Sequence, residues 1–458
     1  MVKDKIPWSI RTAYAMPAFA LAIVGIPIYV YLPKFYTDVM GVPVIPAAAI
    51  ILGVRVFDAL SDPMTGILSD HTKTPLGRRR PYLILGAIPL ASTLFLLFNP
   101  PHMSPTLTTW WFGLGLFALF LSWTIVAVPY EALGPEITFD YDERTAVLGT
   151  RDGFLLAGTL VAAASPAIIG NILGLAGDAL GERARFFWLA VLYGPLLIAA
   201  CWWCAFWVRE KKLERPPSSW AGMKDLRQTW NNRPFRILLV SYVISALGSN
   251  LPATLILYYV EYVLLSVHAD LFLLLYFVTG VAFLPLWIYF SKRFGKKESW
   301  LLSMGVNSVT FAGVFFLGAG DEALYGILVF FSGIGLGGTL ALPSSMQADV
   351  IDYHEYLTGK RQEGNYIGIW SISKKLAAAL GVGSALFILG LSGYIPQEPQ
   401  PEQVITTLRT LYALVPSLCN VVAIAIALAY PIDKNRHQSI LRAIELQKRG
   451  LWIQDPLK

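Results

Sequence analysis

Twelve stretches of roughly twenty mostly apolar residues run along this chain, and that count constrains its fold more than any other feature. They fall at roughly 12–32, 44–67, 81–99, 107–130, 151–173 and 186–208. After a polar break they resume at roughly 235–264, 270–291, 299–319, 323–347, 365–393 and 405–430. Each is long enough to cross the hydrocarbon of a bilayer as an α-helix, which pairs its own backbone N–H and C=O groups where no water can. Composition agrees: of 458 residues, 55% are hydrophobic and only 14% charged. So few charges leave a soluble surface uncovered, which points to lipid as the solvent. The expected fold is an all-α membrane protein with twelve transmembrane helices in two six-helix halves.

The charges between the stretches test this count. With a cytoplasmic N-terminus, alternate loops should be rich in Lys and Arg. The expected inner loops hold Lys73, Arg78, Arg79 and Arg80, then Arg209, Lys211, Lys212, Arg215, Lys224, Arg227 and Arg233, then Lys292, Arg293, Lys296 and Lys297. Lys434, Arg436, Arg442, Lys448 and Arg449 follow in the tail, whereas the expected outer segments hold little beyond Lys34, Arg183 and Arg185. Both termini are therefore expected in the cytoplasm, with the chain in the cell (inner) membrane. The net charge of +6 is explained by the inner loops, and no nucleic-acid partner is expected. The apolar stretch after Lys3, Lys5 and Arg11 is too long for a cleavable signal and reads as the first span.

Domain boundaries follow: a six-helix half at 1–208, a cytoplasmic linker at 209–234, a second half at 235–430 and a tail at 431–458. The linker, with Trp220 and Trp230 among its charges, reads as an amphipathic helix on the membrane surface. An internal repeat supports the two halves. Gly66-Ile-Leu-Ser-Asp70 with Gly77-Arg-Arg-Arg80 occupies the loop between spans two and three, and Ser291-Lys-Arg-Phe-Gly-Lys-Lys297 occupies the matching loop of the second half.

Arg55, Asp58 and Asp62 stand at i, i+3 and i+7 in the second span and share one helix face. Ionised side chains inside a membrane cost about 2.5–3.5 kcal/mol each on insertion scales, so three within two turns need partners or water. Two carboxylates one turn apart repel, and a bound cation or a proton relieves the repulsion. Such a pair suits cation coupling; a purely structural Arg–Asp network is the alternative.

These residues also carry a resemblance. Phe35-Tyr-Thr-Asp-Val-Met-Gly41, Arg55 with Asp58-Ala-Leu-Ser-Asp-Pro63, Gly77-Arg-Arg-Arg-Pro81, Val128-Pro-Tyr-Glu-Ala-Leu133, Asp142-Glu-Arg-Thr145 and Ala348-Asp-Val-Ile-Asp-Tyr353 occur in order over nearly the whole chain. Together they resemble the glycoside–pentoside–hexuronide:cation symporters, the melibiose-carrier type of the major facilitator superfamily. The resemblance implies alternating access and solute transport coupled to Na⁺, H⁺ or Li⁺, by a chain acting as a monomer. It places the cation site on Asp58, Asp62 and Thr124, with Ser61 where galactoside carriers have an asparagine. It places solute-binding cations at Arg151 and Lys375, with Lys374 the adjacent alternative, and leaves Arg55 to the charge network. Asp70, Arg78, Arg79, Asp349 and Asp352 are expected as gating contacts.

The departures are as informative. Acids of the galactoside carriers fall on Ala22 and Ala127, a lysine on Leu21, and sugar-lining tryptophans on Glu131 and Leu340, so melibiose itself is not expected. Arg293-Phe-Gly-Lys-Lys297 and Tyr430-Pro-Ile-Asp433 resemble a eukaryotic lysophospholipid-carrying branch, which makes an amphiphile the alternative solute.

Other signals carry less. Cys201, Cys204 and Cys419 lie in apolar helices and read as inert thiols. Gly333-Ile-Gly-Leu-Gly-Gly338 has no preceding strand and reads as close helix packing, not nucleotide binding. Asp349, Asp352, His354 and Glu355 sit at the inner end of the tenth span as gate contacts, not as metal ligands. All five histidines are expected in loops or the tail. No nucleophile–base pair occurs, so neither an enzyme nor a cofactor is expected.

Overall fold

The computed structural model describes residues 6–138, 141–175, 178–210, 229–359, 363–448, 455 and 457. Among the described residues every regular element is a helix. In chain order these are α1 (Trp8–Val39), α2 (Val44–His71), α3 (Arg80–Phe98), α4 (Pro105–Ile137), α5 (Tyr141–Ile172) and α6 (Ala179–Trp207). Then come α7 (Arg233–Tyr262), α8 (Ala269–Phe294), α9 (Lys296–Val314), α10 (Glu322–Thr358), α11 (Glu363–Leu391), α12 (Glu402–Ala427) and α13 (Lys434–Lys448). Eleven of these helices, or the greater part of them, are long and apolar enough to span a membrane. The remaining helix of the twelve expected, α9, is 19 residues long and begins with Lys296, Lys297 and Glu298. Most of the expected linker, 211–228, lies outside the described residues.

Several helices overrun the apolar stretches that announced them. α10 continues to Thr358, carrying Asp349, Asp352 and His354 inside the helix, and His354 is buried there rather than placed in a loop. Helical hydrogen bonding does not stop where hydropathy does, because polar residues propagate a formed helix at little cost. Among the described residues three helices are irregular: α12 carries a π-helical turn at Thr410–Leu414, and two others slip or break beside prolines. α1 contains π-helical turns at Pro27–Tyr31 and Phe35–Val39, and α8 breaks at Phe283 before Leu284–Phe294, with a proline in the first turn of the restarted helix. Proline removes a backbone donor and crowds the preceding turn, so the ladder slips or restarts.

The chain divides into two compact units. The first comprises Met1–Pro217, His268–Leu274 and Val382–Val404; the second comprises Ser218–Val267, Leu275–Gly381 and Ile405–Lys458. In the first unit α1 packs on α5 and α6, α3 on α4 and α6, and α2 on α4. Small residues let these backbones approach: a Cβ on Gly158 of α5 would stand 2.5 Å from the Phe19 carbonyl oxygen of α1. In the second unit α7 packs on α12, α9 on α10 and α12, and α13 on α10. Trp287, Trp300, Met304, Met346 and Tyr366 fill its core. The glycine-rich run of α10 is a packing face: Cβ atoms on Gly333 and Gly337 would meet the carbonyl oxygens of Tyr276 and Gly280 at 2.7 and 2.8 Å. That close approach is what small residues in membrane helices provide.

Candidate functional site

The face of α2 that carries Arg55, Asp58 and Asp62 meets α4 inside the first unit. Thr124 of α4, fully buried, places its hydroxyl oxygen 2.9 Å from Asp58 Oδ1 and 3.2 Å from Asp62 Oδ1. The structure thus brings together three of the four residues assigned to the cation site. A threonine hydroxyl has one proton, so it donates to one carboxylate at a time. Both acids therefore converge on one hydroxyl, and Asp58 is only 2% exposed. Pro63 follows Asp62 within the helix and withholds the donor that the Ala59 carbonyl would otherwise receive. Ser61 is also buried, but its hydroxyl donates to the Asp58 main-chain carbonyl at 3.1 Å. It therefore turns back along its own helix, not toward the carboxylates.

Arg55 faces aromatic rings. Its guanidinium carbon lies 3.9 Å from the Tyr29 ring centroid and 4.5 Å from that of Phe120. A guanidinium is weakly hydrated and is attracted to the negative faces of both rings. Ile28, Leu32, Ile51, Leu116 and Val382 surround a small cavity at this point.

The two basic residues assigned to solute stand in different units. Arg151 of α5 reaches Asp152 Oδ1 through Nε at 2.9 Å and Nη2 at 2.7 Å, with the arginine side chain 25% exposed. Lys375 of α11 is half-buried, and Lys374 beside it is exposed. Sequence positions aligned with galactoside-carrier tryptophans, Glu131 and Leu340, are both exposed.

The expected gating residues form two polar clusters, one in each unit. In the first, buried Arg79 donates to the Ser69 hydroxyl, to Asp70 and to Glu136 Oε1, the last at 3.3 Å. Arg78 pairs with the same Glu136 oxygen at 2.9 Å. In the second, Lys296 Nζ lies 2.6 Å from Asp349 Oδ1, and His437 Nε2 of α13 lies 3.0 Å from Asp352 Oδ2 and 3.4 Å from Asp349 Oδ1. Asp349, Asp352 and His437 offer three donor atoms within 4.8 Å of one another, but the Lys296 ammonium already occupies Asp349. His354 instead packs edge-on to Tyr366 at 5.3 Å.

Sequence reasoning missed three contributors. Glu210 accepts the backbone N–H groups of Arg78, Arg79 and Arg80 at 2.8, 2.8 and 3.0 Å, capping the start of α3. His437 joins the α10 acids from the tail. Asp38, inside the quoted Phe35–Gly41 motif, is a buried carboxylate bound by Lys34, Thr37 and Tyr394. The signal for Asp38 was present as an acid inside an apolar segment. For Glu210 and His437 no spacing pointed to partners more than eighty residues away.

Comparison with known proteins agrees with this architecture. The profile of the MFS/sugar transport protein family matches residues 13–434. An uncharacterized symporter of Synechocystis is 27% identical, with 98% of this chain and 99% of that relative covered. A glucuronide carrier protein homolog of Escherichia coli is 30% identical, with 92% of this chain and 91% of the relative covered. Among solved structures, the nucleoside transporter NupG superposes with a TM-score of 0.66 over 92% of this chain and 99% of its own, at 11% identity, which shows a shared fold. With eleven membrane-length apolar helices among the described residues and a family match over most of its length, this chain is a multi-pass membrane transport protein of the major facilitator fold, not an enzyme, and belongs to the MFS/sugar transport protein family, in its glycoside–pentoside–hexuronide branch.

Proposed function

We propose that this chain is a cation-coupled symporter of a small hydroxylated solute, a sugar or glycoside, working by alternating access. The observation that carries the proposal is the convergence of Asp58 and Asp62 on the Thr124 hydroxyl. Two carboxylates drawn to one hydroxyl repel each other when both are ionised, and a cation entering between them or a proton on one relieves that repulsion. Occupancy by Na⁺ or H⁺ then removes the charge that disfavours moving this face through a low-dielectric barrier. Arg151 and Lys375 supply hydrogen-bond donors for solute oxygens. A glucuronide carrier homolog among the relatives supports a sugar-like solute.

In this reading the halves 1–208 and 235–430 rock about the site, joined by 209–234 and followed by the tail 431–458. The chain lies in the inner membrane with both termini in the cytoplasm. The concrete test is uptake by proteoliposomes of a panel of radiolabelled glycosides and lysolipids, under imposed Na⁺ or H⁺ gradients. Uptake of a glycoside should follow one gradient in the wild type and lose that dependence in Asp58→Asn and Asp62→Asn. Unaltered gradient-driven uptake by both variants defeats the coupling assignment. Uptake of lysolipids alone defeats the choice of solute.

A further inference from the structure

We propose that two crossed tyrosine–aspartate hydrogen bonds, Tyr31–Asp270 and Tyr394–Asp38, form the latch that keeps the outer entrance shut. The inference rests on the proposed membrane orientation and gives a role to the Phe35–Gly41 motif, which the ion and solute sites leave unexplained. All four residues belong to the first unit. The Tyr31 hydroxyl, on α1, donates to Asp270 Oδ1 at the start of α8 at 2.6 Å. The Tyr394 hydroxyl, just after α11, donates to Asp38 Oδ2 on α1 at 2.8 Å. α1 thus gives a donor to one neighbour and an acceptor to the other, across 239 and 356 positions of sequence.

The chemistry suits a bond made and broken in every cycle. A phenol donating to a carboxylate gains a charge-assisted hydrogen bond with only one ion to desolvate, whereas a buried ion pair must desolvate two. Asp38 is further held by Lys34 Nζ at 2.8 Å and by the Thr37 hydroxyl at 2.7 Å, so its charge stays balanced when Tyr394 leaves. The backbone at the latch is built to move. Tyr31 closes the π turn Pro27–Tyr31 and Asp38 lies in the π turn Phe35–Val39, and single π turns inside α-helices recur at functional sites. Gly393, directly before Tyr394, has φ +90° with open space where a Cβ would be, a conformation glycine adopts freely.

The test uses Lys34, the one lysine in the segments assigned to the outer side, whose side chain is 16% exposed beside Asp38. In right-side-out vesicles, its modification by a membrane-impermeant amine-reactive ester is followed by mass spectrometry. Tyr31→Phe and Asp270→Ala leave the Lys34–Asp38 pair untouched, and each is expected to speed Lys34 modification about three- to tenfold, the span of one lost hydrogen bond. Combining them should add nothing further, because both remove the same bond. Adding Tyr394→Phe to Tyr31→Phe should increase the rate again. Rates equal to wild type in Tyr31→Phe and Tyr394→Phe proteins of unchanged melting temperature overturn the latch. Additive effects of Tyr31→Phe and Asp270→Ala also overturn it, as does Lys34 reacting only in inside-out vesicles. Loss of gradient dependence is read separately in the Asp58 and Asp62 variants, so the coupling proposal and the latch fail independently.

Discussion

Gly77 leaves no room for a side chain because Glu210 is already there: a Cβ at Gly77 would stand 2.7 Å from the Glu210 carboxylate. The same carboxylate accepts three successive backbone N–H groups that open α3, and Gly77 itself has φ +107°. Two separate penalties therefore meet in Gly77→Ala, a strained backbone and a clash. That variant is expected to lose more than about 1 kcal/mol of stability, beyond the usual cost of alanine at positive φ. Glu210→Ala removes the cap and should cost about 0.5–2 kcal/mol. The double variant should be more stable than the sum predicts, since the clash disappears while the strain remains. Thermal unfolding of the four purified proteins in one detergent measures the cycle.

Thr124 supports two acids with one hydroxyl, so its removal is predicted to weaken cation binding without abolishing transport. Thr124→Ala should raise the cation concentration for half-maximal uptake about three- to tenfold, the effect of one net hydrogen bond. Thr124→Ser keeps the hydroxyl and should stay within about twofold of wild type. Initial uptake rates against cation concentration give both values. An alanine variant with wild-type cation dependence would count against the site.

Arg79 is 5% exposed and spans Ser69, Asp70 and Glu136 with one planar fork. Lysine has a single compact ammonium and cannot reach all three. Arg79→Lys is therefore expected to behave like a loss of contact rather than a conservative change, reducing uptake severalfold. Arg79→Ala leaves the buried Glu136 and the partly exposed Asp70 with fewer partners and should destabilise by on the order of 3 kcal/mol, moderated by Arg78 on Glu136. Uptake rates and melting temperatures of the two variants check this.

The tail helix is expected to depend on apolar packing first and on His437 second. Ile440 is fully buried against the core that includes Val350, Tyr353 and Tyr356. Ile440→Ala should loosen the tail strongly, by about 2–5 kcal/mol locally. His437→Ala removes the polar contacts to Asp352 and Asp349 and should loosen it by about 1 kcal/mol. Hydrogen exchange over 434–448 ranks the two. Equal protection in both variants would show that α13 is held elsewhere.

Much of the fold was legible in the chain because lipid imposes a simple rule: a spanning segment must be apolar, helical and of fixed minimum length. The ends were less legible. α10 carries its acids and His354 beyond the apolar run, since polar residues extend a helix that hydropathy no longer marks. The acidic pair was visible because charge inside an apolar helix is costly, and its helical spacing placed Asp58 and Asp62 on one face. Arg55 shows the limit of that spacing. Periodicity put it on the same face as the acids, but its guanidinium rests on Tyr29 and Phe120, rings from α1 and α4.

The sequence by itself marked the apolar helices long enough to cross a membrane and the face of α2 that bears charge, because both follow from local transfer energies and the 3.6-residue period. Only the tertiary structure decided that Thr124 reaches both acids, that Glu210 fills the space beside Gly77, and that Tyr31 and Tyr394 seek Asp270 and Asp38. Those pairings join helices far apart in sequence, and a hydrogen bond depends on a few tenths of an ångström that no local pattern encodes.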